Sequence, residues 1–387
     1  MKQVTNASAC RSPDLEGRRA TKSGFAARRL FHGFTTAFLG LFLLVGLLQA
    51  SAANQPTILT PEEATKRVDK LPKEVAFGFS GVGFYSNRLY AVCNIGLLEI
   101  EGGRVRKAYQ WRKSNPVVEG PWADVPDDKL WVWRVGDGRF AYYSGDVWND
   151  AALPTYPYLR GDLLTGFRGT STPRGFLLEG AGNVWRWDVH RQRWSEEMGR
   201  AVFIKDGRRG ELHRFLMVGD DRFAVVRYGR LFPDYEHGMG DTVHRFASNA
   251  WSEVTNRVGK SFFVAQAAST GEHGYLRTRD GDVLQVDVES VVAISTPGFC
   301  EALTVSAGGK LMAAFRRLGV YEFNGHWTQL FPLVDSLDGH SWVSLAGVGT
   351  EVAVAAAPMS KHGPAAGLWV FDGTKIRRVE FPLAARR

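Results

Sequence analysis

The stretch that decides the fold is Gly175–Trp194, G-F-L-L-E-G-A-G-N-V-W-R-W-D-V-H-R-Q-R-W. Phe176–Leu178 is a short apolar run that ends in the glycine-bearing turn Gly180–Gly182. An alternating run follows, with Val184, Arg186 and Asp188 on one face and Trp185 and Trp187 on the other. Successive side chains of a strand point to opposite faces, so this alternation, rich in β-branched and aromatic residues, predicts a strand. His190–Gln192 turns the chain again and Trp194 opens a third run. The whole reads as a β-meander.

The pattern recurs along the chain. Arg88–Cys93, Leu97–Glu101 and Val105–Trp111 form a first unit; Leu130–Val135, Phe140–Ser144 and Val147-Trp148 form a weaker second. After the opening stretch come Phe223–Tyr228, Val243–Phe246 and Trp251–Val254, then Tyr275–Thr278, Val283–Asp287 and Val291–Ile294. Leu311–Phe315, Val320–Phe323 and Trp327–Phe331 make a sixth unit, and Val352–Ala356, Leu368–Phe371 and Ile376–Phe381 a seventh. Asn324-Gly325 and Asp372-Gly373 sit between alternating runs, the strongest short-range hairpin signal. Leu97, Val147, Val184, Val243, Val283, Val320 and Leu368 recur at a mean spacing of about 45 residues, near the period of propeller blades. A unit of four short strands cannot bury both faces alone, whereas stacking units around an axis does. The expected fold class is all-β: a β-propeller of about seven four-stranded blades over residues 75–387. Aromatic residues between blades would contribute about 1.5–3 kcal/mol each by burial.

The runs G-N-V-W-R-W-D, G-V-Y-E-F-N-G-x-W and G-L-W-V-F-D-G resemble the repeats of bacterial β-propellers of the two-component-regulator and kelch-like kind. The resemblance covers roughly Val75–Leu383 as a rhythm, and the third, sixth and seventh units match it best. It implies a binding or sensing scaffold. Regular WD40 signatures, the Asp-box of sialidase-like propellers and the tryptophan-docking motif of quinoprotein dehydrogenases are absent.

Residues 1–52 read as a signal peptide. A basic region ends at Arg28-Arg29, Ala37–Leu48 is apolar, and Ala50-Ser51-Ala52 supplies the small-x-small pattern that signal peptidase accepts. Cleavage after Ala52 is expected, giving a periplasmic or secreted protein. An uncleaved leader would instead make a membrane-held sensor ectodomain. Ala27–Phe31 resembles the twin-arginine motif, so both that route and the general secretory route stay open. Within residues 53–74, Thr60–Lys73 reads as a short helix or a tether, with Thr60 as N-cap, Pro61 as first helical residue and Pro72 as stop.

Charge excludes one class of partner. The net charge is +8, but the leader carries +5 of it, leaving 41 basic and 38 acidic residues with no dense Lys/Arg stripe. Nucleic-acid binding lacks its electrostatic footprint. Only three cysteines exist, and Cys10 lies in the leader. Cys93 and Cys300 either pair in an oxidising compartment or stand as separately buried thiols.

Propellers bind through loops at the channel mouth or one face, so irregular insertions are the first places to search. The largest is Arg230–Asp241, R-L-F-P-D-Y-E-H-G-M-G-D, whose Arg230, Asp234, Tyr235, Glu236, His237 and Asp241 are binding candidates. Converging carboxylates and imidazole suit a metal, although no fixed ligand spacing is present; the alternative is a solvated polar loop. His340, within Asp335–Trp342, and His362, within Met359–Ala366, complete the set. Pro121–Tyr158 is aromatic-rich, and its alternation points to blade packing rather than a sugar or peptide platform. No phosphate loop or nucleophile elbow occurs, and no cofactor is expected. The reading is a monomeric exported binding or scaffolding module for an envelope or extracellular protein or a small ligand. The alternative is a propeller hydrolase or lyase, possibly metal-assisted, with Asp234, Glu236 and His237 as acid–base groups or ligands.

Overall fold

The computed structural model describes residues 55–71, 77–111, 118–124, 127–134, 139–145, 147–154, 168–172, 174–180, 182–199, 201–228, 240–332, 340–358 and 366–380. Seven sheets follow one another along these residues, each built on four consecutive antiparallel strands joined as a meander; a short extra strand joins the first, fourth and fifth, in parallel only where Thr255–Asn256 pairs with Ser290–Ile294. The first strands of the seven blades are Phe79–Tyr85, Val118–Asp124, Arg168–Thr172, Arg208–Val218, Val264–Ser269, Cys300–Val305 and His340–Val348. They are the innermost strands, and all seven wall a central channel. The weak second unit is a complete blade, Val118–Ala151.

Alternation within the decisive stretch becomes blade-to-blade packing. Trp185 and Trp187 join Trp131, Phe140 and Phe176 in the core between the second and third blades, where Trp131 stacks on Phe176 at 4.4 Å. On the opposite face, Val184 joins Phe215 and Met217 of the fourth blade. Each such ring buries an area worth about 2–3 kcal/mol.

Six of the seven inner strands carry a β-bulge near their start, with Ser80, Gly120-Pro121, His213, Ala265, Glu301 and Val343 as the extra residues. A bulge bends a strand and breaks its ladder, leaving backbone N–H groups to find other partners. Inner strands also converge tightly. A Cβ on Gly81 of the first blade would stand 1.7 Å from the Gly120 carbonyl oxygen of the second, so no side chain fits there.

Among the described residues, the ring closes between the first and seventh blades without exchanging a strand, because every four-stranded sheet is contiguous in sequence. Closure is by packing of Phe79, Val82 and Leu98 with Ala346, Ala353, Leu368 and Val370. Ser344 Oγ accepts from Val82 N at 3.2 Å, and Glu380 N donates to Gly103 O at 2.9 Å. Thr57–Leu59 adds a fifth strand to the outside of the first blade. Pro61–Asp69 then forms a helix, with Thr60 and Glu63 satisfying each other's backbone N–H in a capping box. Its buried face, Ala64 and Val68, joins the core that seals the seam. Pro72 lies outside the described residues. Cys93 and Cys300 are separate buried thiols in the first and sixth blades, each pushed up to about 12 by burial.

Candidate functional site

The channel encloses about 1020 Å³. Its wall is made of inner-strand edges, whose outward N–H and C=O groups have no neighbouring strand, together with small side chains such as Ser80, Thr170, Thr304 and Ser344. A wall of free edges and hydroxyls offers hydrogen bonds all round. In a meander, the inner strand starts at the end where the second strand passes to the third and the outer strand passes to the next blade. That end is one mouth of the channel, and most of the bulges lie toward it; the lining also reaches the opposite end at Thr270, Ala307 and Gly347.

At the mouth, five successive blade junctions use one device. A side-chain oxygen of one blade accepts a backbone N–H of the next inner strand, at or within two residues of its bulge. Glu179 takes Phe215 N. Asp241 takes Val264 N at 2.7 Å, Gln266 takes Leu303 N at 3.0 Å and Glu301 takes Trp342 N at 2.9 Å. Ser344 and Val82 complete the series across the seam.

In four consecutive blades this acceptor is matched with an arginine. Arg168 stands opposite Glu179 in the ladder and acts on its carboxylate through space. Arg227 grips Asp241 with Nε and Nη2, both at 2.7 Å. Arg277 Nε donates to Gln266 at 3.3 Å, and Arg316 Nε donates to Glu301. Arg227 and Arg279 both lie over the ring of Phe263, and Arg316 lies over Phe299.

Two titratable groups here are strongly displaced. Burial raises Glu179 to about 7, against hydrogen bonds from Thr170 Oγ1 and Phe215 N that favour its charged form. Burial, reinforced by Arg227, lowers His213 to about 4. His213 Nε2 lies 2.9 Å from Val264 O; a carbonyl only accepts, so Nε2 holds the proton and Nδ1 is left with a lone pair. Burial also raises Glu119, against the nearby Arg168.

Among the residues picked from sequence, Arg230, Asp234, Tyr235, Glu236, His237 and His362 lie outside the described residues. Asp241 opens the third strand of the fourth blade, its side chain wholly buried and engaged by Arg227 and Val264. His340 opens the inner strand of the seventh blade and meets the Trp369 ring edge-on at 5.1 Å. These two do not meet. The aromatic run also goes to blade packing, with Trp122, Trp131 and Trp133 in or against the core between the second and third blades. Among the described residues, no group of three His, Cys, Asp or Glu side chains is placed to hold a metal, and no helix is long and apolar enough to cross a membrane.

Comparison with known proteins adds fold but no activity. No protein-family profile matches the chain, and no curated protein matches it. Among solved structures, it resembles the β-propeller domain of the trilobed protease from Pyrococcus furiosus, described as having an open velcro topology. That likeness has a TM-score of 0.54 and 12% identity, and covers 80% of this chain and 99% of that one. PorZ, an essential surface component of the type-IX secretion system of Porphyromonas gingivalis, matches at a TM-score of 0.50 and 12% identity, over 79% of this chain and 45% of its own. The extracellular domain of the putative hybrid two-component system BT4673 from B. thetaiotaomicron matches at 0.46 and 12%, over 84% and 40%. The chain thus spans less than half the length of the latter two. At this identity likeness speaks to fold alone; together with the seven sequence-contiguous sheets, it makes the chain a seven-bladed β-propeller repeat protein.

Proposed function

We propose that the chain is an exported binding module of the bacterial cell envelope, which takes a small ligand or a partner's segment at the mouth of its central channel. The observation that carries this reading is the channel itself, about 1020 Å³ walled by hydroxyls and free strand edges. Concave sites with a few convergent polar groups are where propellers and other folds bind. Residues 1–52 act as the export signal, the mature chain begins at Ala53, and the module works as a monomer without a cofactor.

Val343 is a bulge residue, 38% exposed, that lines the channel. Val343→Trp adds bulk at the mouth without entering the core. Wild type and variant are incubated with envelope extract and the retained ligand is read by native mass spectrometry. Retention by wild type and loss in Val343→Trp is the expected result; equal retention by both refutes the channel reading. N-terminal sequencing of the mature protein tests export.

A hydrolase or lyase reading draws support from the neutral His213, whose Nδ1 keeps a lone pair, and from the separate carboxyl of Glu179, which burial holds close to neutrality. Such displaced groups mark acid–base sites as well as structural ones. Turnover that disappears in His213→Gln, Glu236→Gln or His237→Ala while the fold is kept would favour the enzyme.

A further inference from the structure

The wall of the channel is almost without charge. Of the described residues that line it, Glu119 alone has an ionisable side chain; the others are small, apolar or hydroxyl-bearing, apart from the amide of Gln266. Glu119 stands near the start of the second blade's inner strand and is exposed. Among the described residues it makes no hydrogen bond or ion pair, and Arg168 of the third blade acts on it only through space. Loss of hydration outweighs that attraction and raises its carboxyl above the ordinary range. A carboxylate so placed gains when a cation arrives.

Trp122 lines the channel beside it. The register sets Glu119 opposite Trp133 and Trp122 opposite Trp131, with Gly120 and Pro121 as the extra residues between them. Trp131 and Trp133 share one face of their strand, so Glu119 and Trp122 share that face of the blade, the one that packs toward the third blade. Two residues separate their partners, about 7 Å along the strand, a gap that one ammonium group can bridge between a glutamate and an indole. The indole is half-buried and held in place. Its ring lies 6.2 Å from that of Phe140 and 5.9 Å from that of Phe176, and a Cβ on Gly169 would stand 3.0 Å from its Cε3. The carboxylate supplies a countercharge and the anchored ring the negative face of a π system, the two elements that recognise an ammonium. We propose that Glu119 and Trp122 form an ammonium-binding site in the channel wall, which takes a primary or quaternary ammonium group of the ligand. This inference rests on the reading of the channel as a ligand site and names the chemistry it selects.

The test uses choline, putrescine and dimethylbutanol, the uncharged carbon isostere of choline, as separate probes, by isothermal titration on the mature protein. Glu119→Gln removes the charge at nearly constant shape, and Trp122→Phe keeps a smaller ring in the packing. The control is Glu289→Gln, which removes a carboxylate from the turn between the third and fourth strands of the fifth blade, outside the channel lining. Expected is saturable binding of choline or putrescine, and none of dimethylbutanol, to wild type and the control. Binding should weaken at least about tenfold in Glu119→Gln, the loss of one charge-assisted contact, and about threefold in Trp122→Phe. The tighter of the two amines distinguishes a quaternary from a primary ammonium. Glu119→Gln should keep the melting temperature of wild type, so its lost binding is not lost folding. No binding of either amine to wild type, dimethylbutanol binding as tight as that of choline, or unchanged affinity in either channel variant overturns the site. Failure here with ligand retention still lost in Val343→Trp leaves the channel reading standing; amine binding that needs Glu119 with retention indifferent to Val343→Trp does the reverse.

Discussion

Replacing Asp241 by alanine should cut deeply into stability. The carboxylate is fully buried and accepts three hydrogen bonds at 2.7 Å, two from Arg227 and one from Val264 N. Arg227 is itself only 12% exposed along its side chain. Asp241→Ala leaves a buried guanidinium without its anion, a loss of about 3–5 kcal/mol, against a total stability of about 5–15 kcal/mol. About 300 residues of propeller unfold with an entropy of about 0.6 kcal/mol/K, so about 4 kcal/mol lowers the melting temperature by about 6 °C. Pairing Asp241→Leu with Arg227→Met removes the stranded charge but still orphans Val264 N, which costs about 1–3 kcal/mol; the double variant should therefore lie between wild type and Asp241→Ala. Thermal and urea unfolding followed by tryptophan fluorescence measures all three. An Asp241→Ala protein within about 0.5 kcal/mol of wild type, the usual range for surface changes, would refute this structural role of the carboxylate. If it also lost ligand, Asp241 would be a binding residue.

Other consequences follow from burial and shape. Glu179 has a folded value of about 7 against an ordinary 4.5, so its stabilising contribution is full below pH 4.5 and is lost as pH rises through about 7. His213 runs the opposite way: with a folded value of about 4 against 6.5, its contribution is full above pH 6.5 and is lost as pH falls through about 4. Relative to wild type, Glu179→Gln should gain stability between pH 4.5 and 7 as pH rises, and His213→Gln should gain it between 6.5 and 4 as pH falls; urea midpoints across pH that shift in parallel with wild type contradict this. Gly81→Ala should destabilise by more than about 1–3 kcal/mol, the cost of ordinary overpacking, because its Cβ would collide with backbone at 1.7 Å; an unchanged melting temperature shows that the first two inner strands stand further apart. Cys93 and Cys300, buried with their thiols pushed up to about 12, should resist a thiol reagent at pH 8 until the chain unfolds; rapid labelling of the native protein would show an open blade.

The outer three strands of each blade were legible because they obey simple alternation. Val184, Trp185, Arg186 and Trp187 face two different blades, and their order alone says so. Inner strands were not. F-S-G-V-G-F-Y at Phe79–Tyr85 and V-E-G-P-W-A-D at Val118–Asp124 are rich in small residues, since seven strands converge on one axis. Each also has an extra residue that breaks period two. The candidate site suffered for the same reason. In sequence Asp241 stands out only by residue type, at the end of a polar insertion, because its partners Arg227 and Val264 are distant in the chain and meet it only through register. Arg277 is an ordinary polar position in a strand by sequence, and what sets it apart is the neutral Gln266 across the ladder.

The unstitched junction between the first and seventh blades has an evolutionary consequence. Where a ring is sealed by a strand borrowed from the opposite terminus, gain or loss of one repeat at the end of the gene breaks a sheet. Here each blade is a single uninterrupted stretch of gene, and the seal is side-chain packing with a helix laid over it. Duplication or deletion of a whole repeat would leave every remaining sheet intact and would have only to rebuild one apolar contact. Such a lineage can change its blade number by simple copying errors, while its N-terminal strand and helix go on sealing whichever blade comes last.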